Sequence, residues 1–435
     1  MLVVVVRICC IIVMFLSVPA TGSPFKRQHR KQYQTKMIAG VASSNESKMV
    51  GYNVLPAPFP AFNEQFIPAP PSEMSKLVYL SYPRKESIIL FTQGLNRSDI
   101  KFCIQGNFKS RKLGTKVLRV TGDCCVIVVE CAWNRFWVDG RAVSVGKHRR
   151  HSFPSTARLH TELMSIVRGP KYSICAMTQV RDASKFLPDW IDYHRRIGID
   201  HFYVFDNNSS ESFVDDPDTE IIRFPWKKSQ YQALMYGIQV VKARCQWLAV
   251  FDVDEFIYPR GVGSIPALIA SMTADRSDAG EMRFNMLKMS SNNLDNCPNT
   301  SVPEGYAYRM RRAVPDFINP KGISWVASLY AHNIHWARFE KGHSGSRTGK
   351  VIVPSEMAYM VHYSVQCWPD YFVAKYKYGR NGLVSDYANP GYRQDAAPRG
   401  WRQRMSGAYS VKDTSFRGFF LRAMARPRPE PVLVF

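Results

Sequence analysis

The feature that most constrains this chain is a strand–helix alternation that begins at Tyr172 and runs into four consecutive residues, Asp252-Val253-Asp254-Glu255. Tyr172–Thr178 has the composition of a strand. The apolar residues Phe186, Leu187, Trp190, Ile191 and Ile197 then recur at helical spacing, and Gly198 is placed to end that helix. His201–Phe205 reads as a second strand that stops at Asp206-Asn207-Asn208, and Ile221–Phe224 as a third. Tyr231, Leu234, Met235, Ile238 and Val241 share one face of a second helix, and Gln246–Phe251 is a buried-strand run that delivers the chain to the acids. Such alternation predicts a mostly parallel sheet, whose ligands lie off the carboxyl ends of the strands. Both acidic clusters fall at such ends.

The residues before Tyr172 follow a different rhythm. Leu77–Tyr82, Ser87–Thr92, Lys101–Ile104, Lys116–Val120, Val126–Glu130 and Arg135–Val138 are short β-prone runs separated by Gly and Asn turns. They predict a small β-sandwich-like accessory domain over residues 76–150. Residues 21–75 are rich in Pro and polar residues and read as a stalk or linker. Within residues 1–20, Ile8–Val18 is apolar but for Ser17, and Val18 and Ala20 suit signal-peptidase cleavage. An uncleaved anchor over Leu2–Val18 is the alternative, and it would tie the protein to a membrane. Lys26, Arg27, Arg30 and Lys31 on its luminal side oppose that orientation. Either way the body enters the secretory pathway. Sequons at Asn45, Asn96, Asn207, Asn208 and Asn299 agree, and ten cysteines with no zinc-type spacing predict structural disulfides of open connectivity.

A net charge of +23 places the protein in a positive field that suits an anionic partner. A sugar nucleotide, an acidic polysaccharide and a membrane surface all qualify. The secretory leader and the lack of any nucleic-acid-binding motif argue against nucleic acid. Asp252 and Asp254, one residue apart after a buried strand, could share a hard divalent cation that bridges phosphate oxygens and neutralises a departing diphosphate. Solvated acids at a helix start are the plainer alternative.

Three segments carry a more specific likeness. Cys175–Ser209 (CAMTQVRDASKFLPDWIDYHRRIGIDHFYVFDNNS), Trp247–Ile257 (WLAVFDVDEFI) and Val361-His362-Tyr363, followed by Lys375 and Gly379-Arg380, together resemble glycosyltransferase family 92. The resemblance implies a GT-A-type nucleotide-sugar-binding domain over residues 165–410, with a basic tail at 411–435. It makes Asp252, Asp254 and His362 ligands of Mn²⁺ or another divalent cation. Arg181 and Asp206 would contact the nucleoside, Gln230 and Asp252 the donor, and Lys321 its phosphates; His335 matches a later family histidine of open role. Asp206 equally suits an Asx turn, His362 a packed core histidine, and Lys321 a solvated lysine. The family further implies a Golgi enzyme, an inverting hexosyltransferase that moves galactose from UDP-galactose to a polysaccharide such as pectic β-1,4-galactan. Homo-oligomerisation is left open. An inverting enzyme needs a carboxylate base; Asp295, after an expected strand Glu281–Met289, is the first candidate, with Glu304, Asp316 and Asp370 as rivals. Arg181-Asp182-Ala183 and Ser290–Asn293 depart from the family pattern. A secretory polysaccharide-binding protein that has lost catalysis is the competing expectation.

Overall fold

Period-two sequence before Val145 becomes antiparallel sheet because alternate residues can bury on opposite faces. In the computed structural model, residues 77–83, 87–93, 95, 97–108, 111–121, 127–133, 143–148, 170–213, 216–225, 229–242, 244–290, 294, 296–315, 321–332, 334–339, 346–367 and 411–428 are described. The leader, the stalk and the expected strand at Arg135–Val138 lie outside them. Strands β1 (Leu77–Pro83), β2 (Ser87–Gln93), β3 (Phe102–Phe108), β4 (Arg111–Thr121), β5 (Val128–Ala132) and β6 (Val143–Gly146) form one antiparallel sheet in the order β1-β2-β5-β4-β3-β6. Cys103 on β3 and Cys131 on β5 are joined by a disulfide although β4 lies between their strands. Their Cα atoms are 6.0 Å apart, whereas strands two places apart in a flat sheet would be separated by about 9–10 Å. The sheet therefore curls sharply. It encloses Ile88, Leu90, Val129 and Val145 in a core of its own. The region expected to be β-sandwich-like is built from one six-stranded sheet that curls on itself.

The other face of this sheet is also apolar. Ile89, Phe91 and Val128 pack into the core that contains Met177, Phe205 and Tyr236 of the following region. Phe91 meets Tyr236 edge-on at 5.7 Å, and Gln232 Nε2 donates to the Thr92 carbonyl at 3.4 Å.

After Tyr172 the alternation unfolds as expected: β7 (Tyr172–Val180), α1 (Leu187–Arg196), β8 (His201–Asp206), β9 (Thr219–Arg223), α2 (Gln230–Val241) and β10 (Cys245–Val250). These four strands are mutually parallel in the order β10-β7-β8-β9. Cys175 and Cys245 are disulfide-bonded, which fastens β7 to β10. The helix end at Gly198 follows its chemistry: φ is +103°, and Gly198 N–H and Ile199 N–H return to the Arg195 and His194 carbonyls at 3.0 Å each. That is a left-handed cap, and a Cβ there would come within 2.4 Å of Pro266 Cδ.

Beyond β10 the chain builds two sheets at once. The later elements are β11 (Glu255–Tyr258), α3 (Ile265–Thr273), β12 (Ala279–Arg283), β13 (Met286–Ser290), α4 (Val302–Gly305), β14 (Tyr308–Arg309), β15 (Gly322–Trp325), β16 (Leu329–His332), β17 (Ala337–Phe339), β18 (Gly349–Ile352), β19 (Tyr359–Val365), β20 (Val411–Lys412) and α5 (Ser415–Met424). Strands β15, β12 and β18 extend the parallel set to β18-β12-β15-β10-β7-β8-β9, with β15 antiparallel to both neighbours, so the sheet is mixed. A second sheet has the order β11-β19-β13-β14-β20. The expected single strand Glu281–Met289 is corrected here: β12 and β13 belong to different sheets, and the chain crosses between them at Phe284-Asn285.

Helix α1 fastens the two sheets together. Trp190, Tyr193 and His194 lie at i, i+3 and i+4, one face of the helix. Trp190 Nε1 donates to the Glu255 carbonyl at 2.9 Å, Tyr193 Oη to the Ile257 carbonyl at 2.6 Å, and His194 Nε2 accepts from Ile257 N–H at 3.2 Å. Three buried bonds of this type, each worth about 1 kcal/mol net, hold β11 and the acidic residues before it in place.

Candidate functional site

The strand order reverses between β7 and β10, since β7 leads to β8 and β9 on one side and β10 adds on the other. A crevice off the carboxyl ends at such a point is where open α/β sheets take their ligands. Asp252 follows β10 there, Arg181 follows β7, Asp206 ends β8, and Lys321 immediately precedes β15.

Glu255 organises the cluster, and the sequence reading missed it. It starts β11 opposite His362 of β19, a registered antiparallel pair. Its side chain is 1% exposed. One oxygen accepts from Asp252 N–H at 2.8 Å and faces Lys321 Nζ at 3.0 Å; the other lies 3.7 Å from His362 Nδ1. Lys321 Nζ also reaches Asp252 Oδ2 at 3.2 Å. Burial would lower the Lys321 pKa, but Asp252 and Glu255 outweigh it and hold the ammonium above its usual value. Burial raises the Glu255 pKa, Lys321 pulls it back, and Asp252 adds a further push upward. The signal for Glu255 was its place as the fourth residue of the acidic run; its inward direction depends on β11 pairing with a strand a hundred residues later.

Of the expected metal ligands, Asp254 and His362 meet, with His362 Nε2 3.5 Å from Asp254 Oδ2. Tyr363 N–H donates to the Asp254 carbonyl at 2.8 Å, so β19 holds this loop by its backbone as well. Asp252 points toward solvent, its side chain 39% exposed, with Gln230 Nε2 3.5 Å from Oδ1. Gln230 Oε1 is buried with no hydrogen-bond partner among the described residues. Among the described residues no three His, Cys, Asp or Glu side chains converge closely enough to ring a metal. The donor chemistry nonetheless fits a divalent cation that brings phosphate oxygens with it, because such ions commonly use only one or two carboxylates from the protein.

The nucleoside candidates have structural duties. Asp206 Oδ1 accepts from Ser209 N–H at 2.9 Å, which is the Asx-type turn. Asp182, at φ +49°, accepts from Ser210 N–H at 2.7 Å and from Ser210 Oγ at 2.8 Å. These bonds tie the loop after β7 to the loop after β8, with Arg181 beside them. Glu304 caps α4 through Ser301 N–H and Oγ, at 3.2 and 2.6 Å. His335 lies in the turn between β16 and β17. Asp295, Asp316 and Asp370, and the motif residues Lys375, Gly379 and Arg380, lie outside the described residues.

Fold and site together define a mixed α/β protein with carboxylates, a buried lysine and a histidine gathered at the switch point of its sheet. No family model matches the chain. Among curated proteins it is similar to a glycosyltransferase family 92 protein of Ricinus communis, 26% identical over 284 residues (59% of this chain, 47% of that protein). A longer match to a Ricinus communis protein of the same name is 24% identical over 405 residues, 83% of this chain and 70% of that protein. A family 92 protein of Arabidopsis thaliana is 27% identical over 248 residues, 52% of this chain and 41% of that protein. The resemblance to glycosyltransferase family 92 read from the motifs is supported by these matches, each to a protein of that family name. In three of the four matches the chain spans less than half the length of its relative.

Proposed function

We propose that this protein is a metal-dependent, inverting glycosyltransferase of the secretory pathway, with a GT-A-type donor domain. It takes UDP-galactose as donor and a β-1,4-galactan chain as acceptor. The observation that carries the reading is the Asp252–Lys321–Glu255–His362 cluster at the sheet's switch point, beside the orphan acceptor of Gln230. The family 92 relatives support the transferase class, and the implied specificity supplies the sugar.

Asp252, Asp254 and His362 would hold Mn²⁺, which supplies charge neutralisation for the departing diphosphate. Lys321, 3.2 Å from Asp252 Oδ2, would add a second positive charge beside the carboxylate that holds the cation. Glu255 keeps that lysine charged and aimed, and orients His362 from behind. Gln230 Oε1 receives a donor hydroxyl. An acceptor oxygen attacks the anomeric carbon from the opposite face, loses its proton to a carboxylate, and the nucleoside diphosphate leaves with the bonding electron pair.

The test is hydrolysis of a panel of UDP-sugars by the full chain with Mn²⁺, repeated with Asp254→Asn. UDP release should be fastest from UDP-galactose and should fall at least a hundredfold in the variant. Equal release by the variant, or none from any UDP-sugar by the parent, would overturn the reading.

A further inference from the structure

A shallow, open cleft lies beside the acidic loop. Its floor includes Val253, the residue between Asp252 and Asp254, so whatever fills it sits one residue from the diphosphate segment. One wall is the entry to α1, with Lys185, Phe186 and Asp189; the other is the segment carrying Pro298, Thr300 and Tyr306. That second wall is clamped, because Cys297 is disulfide-bonded to Cys367 and the Cys367 N–H donates to Tyr306 Oη at 3.0 Å. A clamped wall keeps the cleft open rather than collapsed.

Resting on the transferase reading, we propose that this cleft is the acceptor subsite, and that it takes a neutral, hydroxyl-rich pyranose unit through Asp189 and Phe186. The acidic side of the cleft, around Asp189, suits a neutral ligand better than the donor's diphosphate. The protein as a whole carries +23, yet here the Asp189 carboxylate lies under the negative charge of Glu304 and Asp192. Burial first, and those two carboxylates second, raise its pKa. A diphosphate brought to this spot would be repelled. A sugar hydroxyl instead donates to the carboxylate at no cost in charge, a hydrogen bond to an ionised group worth about 1.5–3 kcal/mol. No described residue supplies Asp189 with a cation or a hydrogen bond, so that acceptor is available to a ligand. The half-exposed Phe186 ring adds the apolar face that the C–H side of a pyranose needs, with Lys185 Nζ 5.7 Å from its centroid.

Two variants test the assignment. Asp189→Asn keeps the shape and removes the charged acceptor; Thr300→Trp fills the cleft from the exposed lip without touching α1. Binding of β-1,4-galactotetraose to the full chain, read by calorimetry, needs no turnover and therefore stands apart from the donor assay. Each variant should weaken it at least tenfold at an unchanged melting temperature. In turnover with UDP-galactose, the acceptor KM should rise at least tenfold while the donor KM moves less than twofold. Unchanged tetraose binding in both variants overturns the subsite. So does a donor KM that rises as far as the acceptor KM, since the cleft would then belong to the nucleotide sugar. Tetraose binding that the variants abolish, in a protein that hydrolyses no UDP-sugar, upholds the subsite and rejects the transferase.

Discussion

Lys321 donates to Glu255 at 3.0 Å with both side chains almost wholly removed from water, 2% and 1% exposed. The lysine arrives from the start of β15 and the glutamate from the start of β11, so the pair joins the two sheets under the candidate site. Breaking such a pair from one side leaves an uncompensated buried charge, at a cost of about 3–5 kcal/mol. Lys321→Met should therefore lower the unfolding free energy by that amount at pH 7, measured by urea titration. The deficit should shrink toward acid pH, because Glu255 already has a raised pKa and can take up a proton. A loss below 1 kcal/mol at pH 7 would mean the pair is solvated in solution.

His194 links α1 to β11 as a neutral ring: Nδ1 meets the Trp190 carbonyl at 2.7 Å and Nε2 accepts from Ile257 N–H. Burial lowers its pKa from 6.5 to about 3, against a smaller opposing effect of the Trp190 carbonyl. Between those values the unfolded chain binds a proton that the folded chain refuses. Stability is thus complete above pH 6.5 and falls as the pH drops toward 3, by up to about 1.4 kcal/mol per pH unit. His194→Gln should be less stable at pH 7 but show a shallower acid loss than the parent. Parallel stability profiles for the two proteins would show that His194 is protonated in the fold.

Metal binding can be read without catalysis. If Asp254 and His362, 3.5 Å apart, share a cation with a diphosphate, Mn²⁺ and UDP together should raise the melting temperature more than the sum of each alone. Asp254→Asn and His362→Ala should each abolish that synergy. Ligand at a hundred times its Kd stabilises by about 2.7 kcal/mol, an amount a thermal shift detects. Synergy that survives both variants places the cation elsewhere.

The curled N-terminal sheet shares a core with the α/β region through Ile89, Phe91 and Val128. A fragment beginning near residue 160 would expose the surface around Met177 and Tyr236 that those residues cover. It should express mainly as insoluble protein, and co-expression with residues 58–159 should recover solubility. A soluble, monomeric fragment with the parent's melting temperature would instead make the sheet a separable module.

Of two adjacent sequons, Asn207 cannot carry a glycan in this fold. Its amide donates to the Phe224 carbonyl at 2.8 Å, and the residue is 5% exposed. Asn208 beside it is exposed at φ +61°. Glycopeptide mass spectrometry of the protein secreted from a eukaryotic cell should find Asn207 unmodified. Occupancy there in folded material would contradict the packing of the β8–β9 connection.

The strand–helix order from Tyr172 to Val250 was legible because apolar period and breaker residues are local properties: Phe186, Leu187, Trp190, Ile191 and Ile197 announce a helix, and Gly198 its end, without any distant partner. The positions of Asp206 and Asp252 at strand ends were equally local. What the sequence could not determine is anything set by pairing between remote strands. The expected strand Glu281–Met289 is continuous in composition, yet its halves enter different sheets because β12 pairs with β15 while β13 pairs with β19. The buried role of Glu255 has the same origin, since its direction is fixed only when β11 pairs with β19 and sets it against His362. The disulfides follow suit: ten cysteines announced cross-links, but the partner of Cys103 required the curl of one sheet, that of Cys175 the adjacency of β7 and β10, and that of Cys297 the approach of two segments outside the strands. Local periodicity decides which segments bury which face, and only tertiary pairing decides what each buried face meets.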